Sequence, residues 1–344
     1  MNILVITDLY PIQNDEKHTP KTIQAFVESW ESLGHKVNVI RPNFLLNSFI
    51  RKKPFYKSGI YSNIENINYF LPFLGNIKRK IQKKYSPDVV VAHMPSGLIF
   101  ANKLGYDFCA AVHFSDIEVL TNPIYKFYFK TELEKAYKNA KKIACRSYVL
   151  KKKFLELYPQ YEDKTFVIPS GIEKSFIQKR IWSNNQKLKV LTCGQFIKRK
   201  NIDKVIKACD KFENIELTVI GSGKEKLKKL SNKPKFLGHI SKEKVLEEMG
   251  KSDIFILPSV KETFGMVYLE AMASGCITVC SKNDGIDGII KEGFNGFLCE
   301  DVENCLRKIL DFSDKQKILD NSYDTILSLT KEITAQNYLD NIKK

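Results

Sequence analysis

The 344-residue chain has no two cysteines spaced CxxC, only five histidines, and no apolar run approaching the roughly 20 residues of a membrane span. Each absence excludes a class. Cys109, Cys145, Cys193, Cys209, Cys276, Cys280, Cys299 and Cys305 are scattered, several inside apolar strand or helix patterns, so they read as buried reduced thiols and not as a disulfide framework. The histidines form no cluster with other ligand types, so no zinc or other metal site is expected. Met1 runs almost directly into Ile3-Leu4-Val5-Ile6, without a charged segment ahead of an apolar signal core, and a cytoplasmic protein is expected. No GxGxxG follows that first strand, which removes the dinucleotide fingerprint. There is no internal repeat beyond two similar halves and no low-complexity tract.

What is present is enough apolar residue, 43%, for globular folding, in a chain long enough for two domains. The formal charge is +16, and it is unevenly spread. Residues 51–84 hold nine cations (Arg51, Lys52, Lys53, Lys57, Lys78, Arg79, Lys80, Lys83 and Lys84) against Glu65 alone. Phe55, Tyr56, Ile60, Tyr61, Tyr69, Phe70, Phe73 and Ile77 are interleaved with them. A solvated charged face usually mixes signs, so this stretch points to an anionic surface. A nucleic-acid-binding protein is the other reading of a basic chain, but no recognition motif accompanies the charge.

Apolar runs and helical spacing alternate along the chain. Ile3–Ile6 reads as a buried strand, residues 23–33 as a helix ending at Gly34, and residues 36–40 as a second strand, a βαβ opening that implies a parallel sheet with right-handed crossovers. Residues 43–85 read as irregular, aromatic and basic. Strands are expected over residues 88–92, 108–112, 142–146 and 165–168, with helices over 130–140 and 148–157. A second βαβ series starts at residues 188–193, followed by a helix over 202–209, a strand over 215–220 with Gly221-Ser222-Gly223, a helix over 245–249 and a strand over 277–280. Residues 323–342 read as one last helix.

The stretch Pro258 to Gly275 carries the most chemistry. Asp253-Ile254-Phe255-Ile256-Leu257 is a strand ending in a Pro-Ser turn, and Val267 to Ala273 are helix formers ending at Gly275. Lys261 to Gly265 therefore lies at a strand-to-helix junction, where open α/β sheets bind ligands and free helix N–H groups favour phosphate. Glu262 and Glu270 stand eight residues apart, at most about 12 Å along a helix. An ionised carboxylate only accepts hydrogen bonds, which suits sugar hydroxyls and not phosphate. The plainer alternative is a carboxylate favoured by a helix start and another on a solvated helix face.

The string around these glutamates, Glu262-Thr263-Phe264-Gly265-Met266-Val267-Tyr268-Leu269-Glu270-Ala271-Met272, resembles the Glu-x7-Glu signature of retaining GT-B glycosyltransferases, most closely glycosyltransferase family 4. The resemblance implies that Glu262 contacts the donor sugar and Glu270 the ribose, with the backbone from Phe264 to Val267 facing sugar and phosphate. Gly194-Gln195-Phe196-Ile197-Lys198-Arg199-Lys200-Asn201 is similar to the family's diphosphate loop. Lys200 then matches its Lys, Gln195 replaces its Arg, and Arg199 makes up the lost charge; a solvated basic turn is the alternative. Gly238-His239-Ile240 resembles the segment whose backbone holds the base, and Asn283-Asp284-Gly285 a loop near the phosphates. His113-Phe114-Ser115-Asp116 resembles the family's His-Gly-Ser-Asp, which makes His113 a donor-pocket residue, although a histidine at a strand end is more often structural. The first loop departs from the family: Asp15-Glu16-Lys17-His18-Thr19-Pro20-Lys21 stands where a Gly pair is usual.

The resemblance implies an α/β GT-B fold, two Rossmann-like domains whose parallel sheets face a central cleft. Residues 1–170 would form the acceptor-side domain, 171–322 the nucleotide-sugar domain, and 323–344 a helix packing back on the first. The implied reaction moves a hexose from a nucleotide-sugar, a UDP-sugar first, to a hydroxyl of a glycan or lipid-linked glycan, retaining configuration, with no cofactor or metal. Catalytic roles fall to Glu262, His113 and Lys200, and donor binding also to Arg199, Gly194, His239, Ile240 and Glu270. Arg51, Lys52, Lys53, Lys78, Arg79 and Lys80 would meet an anionic membrane, placing the protein at the inner face of the cell membrane. The rival within this fold is a non-catalytic binding descendant.

Overall fold

Strands that must be covered on both faces read as unbroken apolar runs, and β1 (Asn2–Ile6) shows why: Leu4 and Ile6 enter one core cluster while Ile3 and Val5 enter another. The computed structural model describes residues 1–11, 21–44, 59–61, 63–69, 74–125, 129–183, 186–223, 227 and 229–344. These divide into two compact units. One comprises Met1–Arg146, Leu150–Ile168 and Thr334–Lys344, the other Ser147–Val149 and Pro169–Ile333.

The first unit is built on β1, β2 (Lys36–Phe44), β3 (Gly59–Tyr61), β4 (Ile64–Tyr69), β5 (Val89–His93), β6 (Cys109–Val112), β7 (Lys142–Cys145) and β8 (Thr165–Val167). Their order in the sheet is β3-β4-β2-β1-β5-β6-β7-β8, and only β3 runs antiparallel to its neighbour. The sheet order reverses between β1 and β5. Trp30, wholly buried, donates its indole N–H to the Ala335 carbonyl at 3.0 Å, and the Tyr338 ring packs edge-on against Phe26, so the end of the chain closes one face of this unit.

The second unit holds β9 (Leu188–Cys193), β10 (Ile215–Ile220), β11 (Lys235–Gly238), β12 (Ile254–Leu257), β13 (Ile277–Ser281) and β14 (Phe297–Cys299) in the order β11-β10-β9-β12-β13-β14, all parallel. Its order reverses between β9 and β12. Strands β12 and β13 are buried at every position, and the helix Met266–Ala273, which connects them in the chain, packs against β13.

Two expectations need correction. Residues 43–85 are not irregular throughout: β4 and the helix Leu74–Lys84 lie there. Neither has a clear sequence signal, because β4 mixes Ile and Tyr with Asn and Glu without a strict alternation, and the helix carries only Leu74 and Ile81 on a buried face among five cations. Residues 323–342 are not one helix but parts of two, Lys315–Leu327 and Lys331–Lys343. The break is imposed from elsewhere, because the Ile172 N–H donates to the Leu329 carbonyl and the Lys331 N–H to the Ile172 carbonyl, both at 2.9 Å. No described helix is long and apolar enough to cross a membrane.

Candidate functional site

Within the second unit the reversal of strand order between β9 and β12 leaves a crevice position beyond their carboxyl ends, where ligands bind in open parallel sheets. The loops leaving these two strands are stapled together there. Asn201, in the left-handed region at φ 51° as it opens the helix Ile202–Cys209, donates its side-chain amide to the Pro258 carbonyl at 2.7 Å. The Val260 N–H donates to the Arg199 carbonyl at 2.8 Å.

This staple brings Lys200, Arg199 and Glu262 to one point. Glu262 Oε1 accepts from Arg199 Nη1 at 2.7 Å, from the Ser259 hydroxyl at 2.7 Å, and from Lys200 Nζ. The Lys200 and Glu262 side chains each keep 14% exposure while Arg199 keeps 42%, so the Lys200 pair is the enclosed one. Burial alone would raise the Glu262 pKa, but the Lys200 charge and hydrogen bond, Ser259 and Arg199 outweigh it and hold the carboxyl below its ordinary value.

Glu262 is also held through its backbone. Asp284, in the loop after β13, accepts the N–H of Lys261 at 2.6 Å and of Glu262 at 2.7 Å, across a turn in which Lys261 has φ 61°. Gly265 follows at φ 90°, a conformation a side chain resists, and starts the helix Met266–Ala273. Tyr268 ties that helix to the end of β12 by donating its hydroxyl to the Leu257 carbonyl at 2.8 Å. Phe264 is buried in the core, so at this step only backbone can face a ligand.

About one turn into the helix, Glu270 pairs with Lys242 at 3.0 Å. Cys193, at the end of β9, is pushed up to about 11 by burial and then by the Glu270 charge, with Lys200 opposing. The thiol thus lies within electrostatic reach of both Glu270 and Lys200. Gly194 donates to the Ile220 carbonyl at 3.0 Å and Phe196 to the Ser222 carbonyl at 2.9 Å. Gly221 must be glycine, since a Cβ there would stand 1.9 Å from the Gly194 oxygen. The Gly-Ser-Gly sequence is therefore a packing surface for the Gly194 loop. Its neighbour Gly238 accepts the Gly221 N–H at 2.8 Å, leaving His239 exposed and Ile240 half-buried.

The remaining predicted residues lie in the first unit. His113 follows β6 and opens the helix Phe114–Thr121, its N–H donating to Asp116 Oδ2 at 2.5 Å. Its Nε2 stands 3.2 Å from Nδ1 of the fully buried His93. Burial, and then the nearby Arg146, lower His113 to about 3; burial, His113 and Arg146 lower His93 as well. His113 is thus a neutral imidazole, suited to polar contact with a hydroxyl and not to holding an anion. Burial raises Asp116 to about 8 although the His113 N–H and Tyr137 oppose it. From sequence, His93 and Arg146 carry no role, their available signal being that each sits at or just beyond the carboxyl end of a strand, and Asp116 enters only as the last residue of the His-Phe-Ser-Asp segment. Of the basic residues, Lys78, Arg79 and Lys80 lie on the helix Leu74–Lys84, while Arg51, Lys52 and Lys53, like residues 15–20 of the first loop, lie outside the described residues. Lys84 is paired with Glu65 at 2.6 Å.

The family described as "Glycosyl transferases group 1" matches residues 173–324, and "Glycosyltransferase Family 4" matches residues 21–176. An uncharacterized glycosyltransferase of Methanocaldococcus jannaschii is 28% identical over 283 residues, covering 76% of this chain and 77% of the relative. Among solved structures, Anabaena HepE in complex with UDP superposes over 100% of both chains at TM-score 0.71 and 16% identity. The lipopolysaccharide outer core galactosyltransferase WaaB does so over 100% of this chain and 99% of its own, at TM-score 0.72 and 18% identity. The class defined by fold and sequence together is a glycosyltransferase of the GT-B fold.

Proposed function

We propose that the protein transfers a hexose from a nucleotide-sugar, a UDP-sugar, to a hydroxyl of a glycan or lipid-linked glycan with retention of anomeric configuration and without a metal. The observation that carries this is the convergence of Lys200, Arg199 and Glu262 at the strand-order reversal of the second unit, just ahead of the helix opened by Gly265. Lys200 and Arg199 supply positive charge for a diphosphate, and the helix N-terminus adds its dipole. Glu262 and Glu270 accept from sugar and ribose hydroxyls respectively, and His113 is carried from the family resemblance as a donor-sugar contact. In the step so read, the bond from the sugar's anomeric carbon to the diphosphate breaks, the acceptor oxygen bonds to the same face, and its proton passes to the leaving phosphate oxygen. The UDP in the Anabaena HepE structure supports a uridine donor.

The acceptor side is read from charge. Arg79 and Lys80 are exposed on a helix that carries five cations, and Arg51, Lys52 and Lys53 add to the same stretch of sequence. An anionic inner-leaflet surface bearing a lipid-linked acceptor fits that charge. The deciding experiment is a hydrolysis screen of nucleotide-sugars with the purified protein, together with UDP titration. Turnover of at least one donor and UDP binding are expected; neither occurring would remove the enzyme reading.

A further inference from the structure

Glu262 occupies the cations that a diphosphate would need. Among the described residues three side-chain donors reach it, Arg199 Nη1, Lys200 Nζ and the Ser259 hydroxyl, and they converge on the single oxygen Oε1. Asp284 accepts the backbone N–H of both Lys261 and Glu262, so the carboxylate can withdraw only by turning its own side chain and not by a shift of the loop. With 14% of its side chain exposed, it also cannot recover full hydration if its partners leave.

Resting on the donor-site reading above, we propose that Glu262 is a built-in placeholder anion that makes the site favour the intact sugar-diphosphate over the bare nucleoside diphosphate. When a nucleoside diphosphate takes Lys200 and Arg199, Glu262 is left charged, enclosed and beside a second anion. An intact donor offsets this, because its sugar hydroxyls are hydrogen-bond donors for the carboxylate. Once the sugar has been transferred those donors are gone. Glu262 then recaptures Lys200 and Arg199 and drives the product diphosphate out. The carboxylate thereby acts in two ways, as acceptor for substrate hydroxyls and as competitor of the product.

The measurement is calorimetric titration of wild type and Glu262→Gln with UDP, with inorganic pyrophosphate, and with whichever nucleotide-sugar the hydrolysis screen identifies. A neutral amide keeps the shape and removes one negative charge from within about 5 Å of the bound diphosphate, worth roughly tenfold or more in affinity at the effective dielectric of a protein surface. UDP and pyrophosphate are therefore expected to bind Glu262→Gln about tenfold tighter, and the sugar nucleotide to gain less than UDP does. Glu262→Ala gives the same readout should the glutamine variant not fold. Diphosphate binding that neither variant tightens overturns the placeholder alone. Absence of any diphosphate binding by wild type and variant overturns the donor-site reading and the placeholder with it.

Discussion

The Asp284 carboxylate accepts the backbone N–H of Glu262 at 2.7 Å, so the residue that aims the candidate catalytic carboxylate is itself a carboxylate 22 positions further along the chain. Two of its oxygens are used, one on Glu262 and one on Lys261, whose φ of 61° costs energy without such a hold.

Asp284→Ala is expected to lower donor turnover by roughly tenfold to a hundredfold while weakening UDP less, because hydrogen bonds to a charged group contribute about 1.5 to 3 kcal/mol each. Hydrogen exchange provides a check independent of activity. The Lys261 and Glu262 amides should exchange faster in the variant, and unchanged protection would show that the two bonds do not hold the loop.

Lys200→Ala should abolish donor turnover with a melting temperature within a few degrees of wild type, since Glu262 retains Arg199 and Ser259 as partners. Gln195→Arg should be neutral or raise activity, because Gln195 is exposed beside the same loop. A Lys200→Ala protein with full turnover would contradict the diphosphate role, as would a melting loss large enough to account for inactivity.

Glu270→Gln should weaken UDP by about tenfold, and Lys242→Ala by no more than threefold. Lys242 is 55% exposed, and exposed ion pairs contribute about 0 to 1 kcal/mol. Titration of the two variants with UDP separates them, and an equal loss in both would mean that Lys242, not Glu270, meets the nucleotide.

Stability should fall as pH rises from about 6.5 to 8. Unfolded, Asp116 ionises near its ordinary 3.8, whereas folded it keeps its proton to about 8, so the folded state binds more protons in that interval and loses ground as they leave. His113 works the other way, since its folded value of about 3 lies below the ordinary 6.5 and it costs stability only as pH falls below 6.5. His93 shifts in the same direction. Above 6.5, of these three groups, only Asp116 contributes. Thermal melts of wild type and Asp116→Asn across this range should show the decline in the first and a flatter profile in the second; parallel curves would assign the decline elsewhere.

Sedimentation with anionic liposomes should pellet the protein at low salt and release it at high salt, because cations near such a surface contribute about 1 kcal/mol each and are screened beyond about 10 Å at 0.1 M. Changing Arg51, Lys52, Lys53, Lys78, Arg79 and Lys80 to Ser should leave the protein in the supernatant. Equal pelleting with neutral vesicles would return these residues to the role of a solvated face.

Much of the donor-side constellation is legible in sequence because it repeats a local pattern: a buried apolar strand, a short loop, then a helix. Lys200 after β9 and Glu262 after β12 are both visible in that way. The roles of Ser259 and Asp284 are not, although the resemblance puts Asp284 in a loop near the phosphates. Nothing in their own surroundings says that one will donate to Glu262 Oε1 and the other will hold its backbone. The pairing of His93 with His113 is hidden for the same reason, since each is a solitary histidine at the end of a different strand, brought together only when β5 and β6 lie side by side.

By itself the sequence determined two parallel α/β units, because strands covered on both faces must be apolar throughout and the helices between them must bury one stripe; these are local periods that no distant contact is needed to reveal. Tertiary structure alone decided that Lys200, Arg199 and Glu262 share one oxygen, and that the last stretch breaks where Ile172 bonds to Leu329 and Lys331. Hydrogen bonds and ion pairs between residues 60 or 150 positions apart leave no period in the chain. They depend on which loops the order of strands places side by side, and that order exists only once the sheet has formed.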